Sequence, residues 1–167
     1  LWKLADKKVL SSIREKTGGK IKFFISGGSA LNKDNAEFFD SIGLLILEGY
    51  GMTEASPVIS VNRVDNYRFG TVGLPLIGVE AKIAEDGEIL VKGDNVMRGY
   101  YCDEKETEVM IIEGWLHTGD IGEIDNDGFL KITDRKKSLI KTASGEYISL
   151  THIEDTLGAS EFIEQII

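Results

Sequence analysis

Gly114-Trp115-Leu116-His117-Thr118-Gly119-Asp120 leads into an alternating segment turned at Asn126-Asp127-Gly128. Then follows Thr133-Asp134-Arg135-Lys136-Lys137-Ser138-Leu139-Ile140-Lys141-Thr142-Ala143-Ser144-Gly145-Glu146-Tyr147, and the stretch as a whole decides how the chain is read. Gly119 lets the backbone bend sharply, so the Asp120 carboxylate projects into a cleft, where it suits the two hydroxyls of a vicinal diol. Arg135, Lys136, Lys137 and Lys141 follow; guanidinium offers a fixed fork of donors and ammonium a mobile point charge, and both suit phosphate. The stretch reads as a nucleotide site feeding into a hinge. Taken alone, Thr118-Gly119-Asp120 is also explained by ordinary turn chemistry.

Working outward, Trp115 to Thr118, Asp120 to Ile124 and Phe129 to Thr133 read as strands. Val79 to Ile83 and Glu88 to Lys92 alternate about Glu85-Asp86-Gly87, a hairpin signal. Asp103 to Glu106 resembles a capping box opening a short helix to about Met110. Upstream, Leu1, Leu4, Ala5, Val9 and Ile13 mark an amphipathic helix stopped by Gly18-Gly19. Thr17-Gly18-Gly19-Lys20 lacks the glycine spacing of a phosphate loop and follows a helix, so it reads as that helix stop. A buried strand Ile21–Ile25 leads to the loop Ser26–Ser29. A helix over Asn32–Ile42 is predicted to bury Phe38, Phe39 and Ile42 and to end at Gly43, and a buried strand Leu44–Leu47 leads to the loop Gly49–Ser56. Strands alternating with helices predict an α/β fold in which residues 1–60 form the end of a mostly parallel sheet subdomain, with both loops at one edge. Residues 61–133 are β-rich. Ser138–Lys141 and Tyr147–Leu150 form a hairpin about Ser144-Gly145, and Thr151 to Glu154 caps a helix stopped by Gly158.

The 167 residues suffice for an ordinary domain, and 42% hydrophobic with 28% charged residues fits a globular protein. A formal charge of −9 gives no basic field for nucleic acid or an anionic membrane. One cysteine, Cys102, excludes an intrachain disulfide and a thiolate cluster for zinc, which points to a reducing, cytoplasmic setting. With no cation beside it in sequence, Cys102 reads as an inert thiol. No apolar run is long enough for a membrane helix, and no signal peptide is seen. The first residue is Leu1, and the end, Glu161 to Ile167, reads as a strand with no partner following. A fragment of a longer protein is expected.

Trp115-Leu116-His117-Thr118-Gly119-Asp120 followed by Asp134-Arg135-Lys136-Lys137 resembles the adenylate-forming superfamily of acyl-CoA synthetases, adenylation domains and luciferases. Gly49-Tyr50-Gly51-Met52-Thr53-Glu54 is a second signature of that superfamily. Leu47 to Glu54, Gly93 to Tyr101 and Thr133 to Lys137 are most similar to long-chain fatty-acid–CoA ligases, and the resemblance covers nearly the whole chain. It implies that residues 61–133 form a distorted β-barrel subdomain, that 134–137 are a hinge pivoting at Asp134 and Lys137, and that 138–167 begin a small, mobile α+β C-terminal domain.

The resemblance also implies ligands: ATP or AMP, Mg²⁺, coenzyme A and a fatty acid. Gly27, Gly28 and Ser29 would let adenine approach the backbone, although an ordinary turn explains the glycines equally well without it. Tyr50, between Gly49 and Gly51, offers an aromatic face for the base. Thr53 would donate to the α-phosphate and Glu54 would ligate Mg²⁺, the alternative being a helix start with an acidic first turn. Asp120 would hold the ribose and Arg135 the ribose or α-phosphate; Ile132 would pack on the sugar or base, or simply in the core. Lys141 and the Thr142–Gly145 loop would swing toward the thioester-forming site. His117 is expected to be structural or exposed, and Lys136 a solvated cation. Leu150 stands where many relatives carry proline, which would loosen the following helix slightly.

In the superfamily a carboxylate attacks the α-phosphate of ATP to give an acyl-adenylate and pyrophosphate, and a thiol then takes the acyl group. The superfamily's phosphate loop and adenylation lysine are expected outside this sequence, so the chain alone is expected to be inactive. Alternatives are a ligase for another carboxylic acid or a carrier-protein thiol, a non-catalytic nucleotide-binding relative, and an unrelated small α/β binding domain. Oligomeric state and peripheral association of a longer parent with a membrane stay open.

Overall fold

The structure, a computed structural model, describes residues 10–141, 147–150, 153, 156–157 and 162–163. Helix α1 (Ser11–Lys16) ends where Gly18 takes a φ of 87°, as the glycine pair predicts. Arg14 of α1 donates to the Ile42 carbonyl at 2.9 Å. The predicted Leu1–Val9 part of the helix lies outside the described residues.

Strand β1 (Phe24–Ser26) runs parallel to β2 (Ile46–Gly51), with Phe24 opposite Ile46 and Ser26 opposite Glu48. Helix α2 (Lys33–Ser41) makes the crossover: Asn32 caps it by accepting from the Asn35 amide at 3.2 Å, and Gly43, at φ 80°, follows its end. Two expectations fail here. Ile25 is 57% exposed and Phe38 59%, with Phe39 at 37%, although all three were predicted to be buried. The helix packs through Ala36, and at 3.6 residues per turn Phe38 lies roughly 200° round from it, on the far side. Among the described residues β1 pairs with β2 alone.

β2 also runs further than predicted. Gly49 to Gly51, read as a loop, pair antiparallel with β3 (Val58–Val61), and β3 pairs with β4 (Leu74–Pro75). The order is β1-β2-β3-β4, with β1–β2 its parallel pair. Only a turn of 3₁₀ helix, Thr53–Ala55, separates β2 from β3.

The second sheet holds β5 (Val79–Ile83), β6 (Glu88–Gly93), β8 (Trp115–Ile124) and β7 (Ile111–Ile112), with β9 (Leu130–Arg135) on β8. The β5–β6 hairpin turns at the predicted place, with Gly87 at φ 85°. Asp103 caps α3 (Glu104–Met110) by accepting from the Glu106 amide at 3.1 Å. The β8–β9 turn is tied by Asp125, whose Oδ1 accepts from the amides of Asp127 and Phe129. Trp115–Thr118 and Asp120–Ile124, predicted as two strands, are one. Between the pairs Leu90–His117 and Glu88–Ile121, β6 contributes one residue and β8 three, so Thr118-Gly119-Asp120 bulges, with Gly119 at φ 72°.

The two sheets are stitched by main-chain bonds from Val72 to Leu130 and from Leu130 to Gly73, at 2.8 and 2.9 Å. Ala55, Ile59, Ile89, Val91, Leu116 and Leu130 fill the space between them with Tyr50, and each large aliphatic side chain there contributes about 1.5–3 kcal/mol on burial. The architecture is mixed α/β, and the β-rich part is an open sheet, not a closed barrel. β10 (Leu139–Lys141) and β11 (Tyr147–Ser149) form the predicted hairpin, with Leu139 opposite Ser149. Leu150, Ile153, Thr156 and Leu157 are helical. Its predicted cap at Thr151 and stop at Gly158, like the Ser144-Gly145 turn, lie outside the described residues.

Candidate functional site

The bulge in β8 aims Asp120 into a cleft of about 310 Å³ between the sheets. Gly28 and Ser29 line it from the loop after β1, Gly49, Tyr50 and Gly51 from β2, Asp120 from β8, and Ile132 and Arg135 from β9. Glu48, Thr71, Thr133 and Asp134 add to the polar part of the wall. Residues from the two halves of the sequence therefore share one cavity. A second concavity, of about 370 Å³, surrounds Arg68, but its cation is already engaged by Asp125 and Asp127 and lies 4.5 Å from the centre of the Phe129 ring. It is a structural clasp beside the cleft.

Asp120 is 7% exposed and is gripped from two sides. The Tyr50 hydroxyl donates to Oδ2 at 2.6 Å, and Arg135 Nε lies 3.3 Å from Oδ1. The Asp120 amide donates to Thr118 Oγ1 at 3.2 Å, and that hydroxyl donates to the Ile89 carbonyl at 2.8 Å, so the bulge is fixed to β6. Such a carboxylate keeps lone pairs for a ligand while its position is set in advance.

Burial raises the Tyr50 hydroxyl well above the usual tyrosine range, and the bond to Asp120 raises it further. The Tyr100 hydroxyl, donating to Glu54 Oε1 at 2.7 Å, is pushed up to about 12, first by that bond and then by burial. A native tyrosine that holds its proton longer than the unfolded one adds stability that is full below about pH 10 and is lost as pH rises toward the native value. Alkaline titration at the phenolate absorbance should therefore show Tyr100 ionising late and Tyr50 only at unfolding. Ionisation of either of these two near pH 10 in the native protein contradicts its contact.

Thr53 and Glu54 sit on the 3₁₀ turn beyond β2 and do not line the cleft. Gly27 does not line it either: a Cβ there would lie 3.3 Å from the Gly49 carbonyl, so its close approach is to β2. Among the described residues no three acidic, histidine or cysteine side chains cluster to hold a metal. Glu54 supplies one carboxylate, which fits a Mg²⁺ held mainly by phosphate and water, since that ion takes only one or two protein carboxylates beside nucleotides. Lys141 ends β10, and the Thr142–Gly145 loop lies outside the described residues.

Lys136 is not the solvated cation expected. Its ammonium lies 2.7 Å from Asp86 Oδ2 and 3.0 Å from Glu88 Oε2, which raises its own pKa and lowers that of Asp86. Glu88 is buried, which pushes its carboxyl up, but bonds from His117, Lys136 and the Gly119 amide outweigh burial and hold it below the usual range. His117 faces Glu88, at 3.0 Å from Nδ1, and not the cleft. Glu88, Thr118, Tyr100 and Glu48 were missed in the sequence. Glu48, buried in the cleft wall, has its pKa raised by burial and accepts from the Leu31 amide at 3.2 Å. The available signal was an acid adjoining each of the apolar runs Leu44–Leu47 and Ile89–Val91, because buried acids are rare unless partnered.

Residues 3–101 match the family described as AMP-binding enzyme. A putative fatty-acid–CoA ligase of Mycobacterium tuberculosis, fadD11, is 45% identical over 161 residues, covering 95% of this chain and 28% of the relative. The long-chain-fatty-acid–CoA ligase FadD15 of Mycobacterium bovis is 40% identical over 162 residues, covering 97% and 27%. Among solved structures, o-succinylbenzoate CoA synthetase from Bacillus subtilis in complex with the acyl-adenylate intermediate OSB-AMP matches with a TM-score of 0.80 at 32% identity. That match covers 93% of this chain and 35% of the synthetase chain. The same synthetase in complex with ATP and magnesium ion matches with a TM-score of 0.74 at 32% identity, covering 90% and 34%. The chain spans just over a quarter of the length of these curated relatives.

Proposed function

The chain belongs to the AMP-binding enzyme family, and from that premise we propose that it forms the nucleotide-holding segment of an AMP-forming ligase joining a long-chain fatty acid to coenzyme A. The observation that carries this reading is the Asp120 carboxylate, fixed between Tyr50 and Arg135 at the wall of the cleft. Asp120 accepts from the ribose hydroxyls, and Arg135 approaches the sugar or the α-phosphate from β9. Gly28, Ser29, Gly49 and Gly51 leave room for the base beside Tyr50, and Ile132 adds an apolar contact. Thr53 donates to an α-phosphate oxygen. Glu54 holds Mg²⁺, whose charge, when bound, offsets that of the phosphates.

The fatty-acid carboxylate attacks the α-phosphorus, the bond to pyrophosphate breaks, and an acyl-adenylate forms. The thiol then attacks the acyl carbon, its proton goes to solvent and AMP leaves. These residues lower the first barrier by positioning and by neutralising charge. Between the steps, residues 138–167 turn about the 134–137 hinge at Lys137 and carry Lys141 with them; residues 1–60 and 61–133 form the fixed subdomains. Among the described residues no helix is long and apolar enough to cross a membrane.

The test is carboxylate-dependent ATP–pyrophosphate exchange by the full-length enzyme, across short, medium and long fatty acids, benzoate and amino acids. Exchange peaking with long chains is expected, and exchange with no acid points instead to a non-catalytic binding relative. A peak with benzoate or an amino acid reassigns the substrate. Lys137→Pro is expected to stop thioester formation and spare exchange, because proline stiffens the pivot. Equal loss of both counts against the hinge.

A further inference from the structure

Glu88 is a buried acid that the proposed chemistry leaves without a task. Its two oxygens serve different segments: Oε1 accepts from the Gly119 amide at 2.8 Å, inside the bulge that presents Asp120, and Oε2 meets Lys136 Nζ at 3.0 Å. His117 Nδ1 shares Oε2, also at 3.0 Å, and Asp86 in the β5–β6 turn holds the same ammonium at 2.7 Å. The Asp86 pair alone is weak, because its side chains are 52% and 47% exposed and solvent screens them. The Glu88 side chain is 5% exposed, and there the attraction is screened much less. Lys136 is placed tellingly in sequence, directly after Arg135, which pairs with Asp120, and directly before Lys137.

We propose that Glu88 is a positioning residue that, with Asp86, anchors Lys136 to the β5–β6 hairpin. Residues through 136 thereby stay with the sheet, and rotation is confined to Lys137. This rests on the hinge reading above. The anchor shields the Arg135–Asp120 clasp from the turning segment, because Arg135 is the last residue of β9 and any slack would reach it before the rest of the sheet. The same carboxylate, through Gly119, holds the other half of the clasp. One side chain therefore keeps ribose site and pivot in register.

The experiment uses the full-length enzyme with Lys136→Met, which keeps the stem and removes the charge, Lys136→Arg, which restores it, and Glu88→Gln, whose amide oxygen still accepts from Gly119. Single-turnover adenylate formation, thioester formation from isolated adenylate, and hydrogen exchange over 134–140 are followed. Lys136→Met and Glu88→Gln are expected to slow the thioester step about tenfold, to change adenylate formation less than about threefold, and to hasten exchange at 136–138. Lys136→Arg is expected to behave as the unaltered enzyme. Equal slowing of both half-reactions, or unaltered exchange at 136–138, overturns the anchor. If the unaltered enzyme makes no adenylate from any acid, the ligase reading falls, and exchange at 136–138 still decides whether Lys136 is anchored.

Discussion

Asp120→Ala in the full-length enzyme is expected to lower kcat/KM for ATP by about 3 kcal/mol, roughly a hundredfold, the scale of losing charge-assisted hydrogen bonds to a ligand. The loss has two sources that a second variant separates. Alanine removes the ribose acceptor, and it also orphans the buried Tyr50 hydroxyl and leaves Arg135 without its partner in the clasp. Asp120→Asn keeps an oxygen for Tyr50 but loses the charge, so it should retain the fold better while still weakening ATP use. Binding of AMP by calorimetry, beside thermal unfolding, tells the two apart: a ligand effect in both variants with a stability effect mainly in alanine is the expected pattern. Unchanged ATP use in Asp120→Ala removes Asp120 from the site.

The clasp also shows what the sequence made legible. Turn chemistry is local, so Glu85-Asp86-Gly87 and Asn126-Asp127-Gly128 mark their hairpins correctly, Asp103 caps the helix expected of it, and the helix expected from Asn32 starts one residue later with Asn32 as its cap. The cleft that gathers Tyr50, Asp120 and Arg135 was legible only through a resemblance, because Tyr50 and Asp120 are 70 residues apart and no periodicity links them. Lys136 and Glu88, 48 residues apart, were missed for the same reason. A run of cations looks solvated until the fold brings carboxylates to it.

Local pattern misleads in the opposite way where tertiary partners override it. Glycines at 49 and 51 suggested a loop, yet β3 supplies main-chain partners that outweigh weak strand propensity. Gly119 suggested a break between strands and instead makes a bulge, which keeps β8 continuous while turning Asp120 inward. Phe38 and Phe39 were placed on the buried face because they are apolar, although Ala36 marks that face and Phe38 is opposite to it.

Gly51→Ala is expected to be the most damaging single methyl in the site, because the reason for this glycine is space. A Cβ at position 51 would lie 1.8 Å from the Pro57 carbonyl oxygen and 2.9 Å from the Val58 Cα, both main-chain atoms that cannot rotate away. The methyl must therefore part β2 from β3 at the irregularity between Tyr50 and Gly51, and disturb the residue whose hydroxyl holds Asp120. Overpacking against backbone at such a place is expected to cost about 3 kcal/mol or more. Gly78→Ala is the control: φ there is 84°, and a Cβ would meet nothing within 4 Å, so it carries left-handed strain of about 1–2 kcal/mol without a clash. Thermal unfolding of the full-length enzyme followed by circular dichroism should place Gly51→Ala well below Gly78→Ala, with weaker AMP binding in the first alone. Equal unfolding temperatures would mean that β3 yields to the methyl, and that the β2–β3 contact does not hold Tyr50 against Asp120.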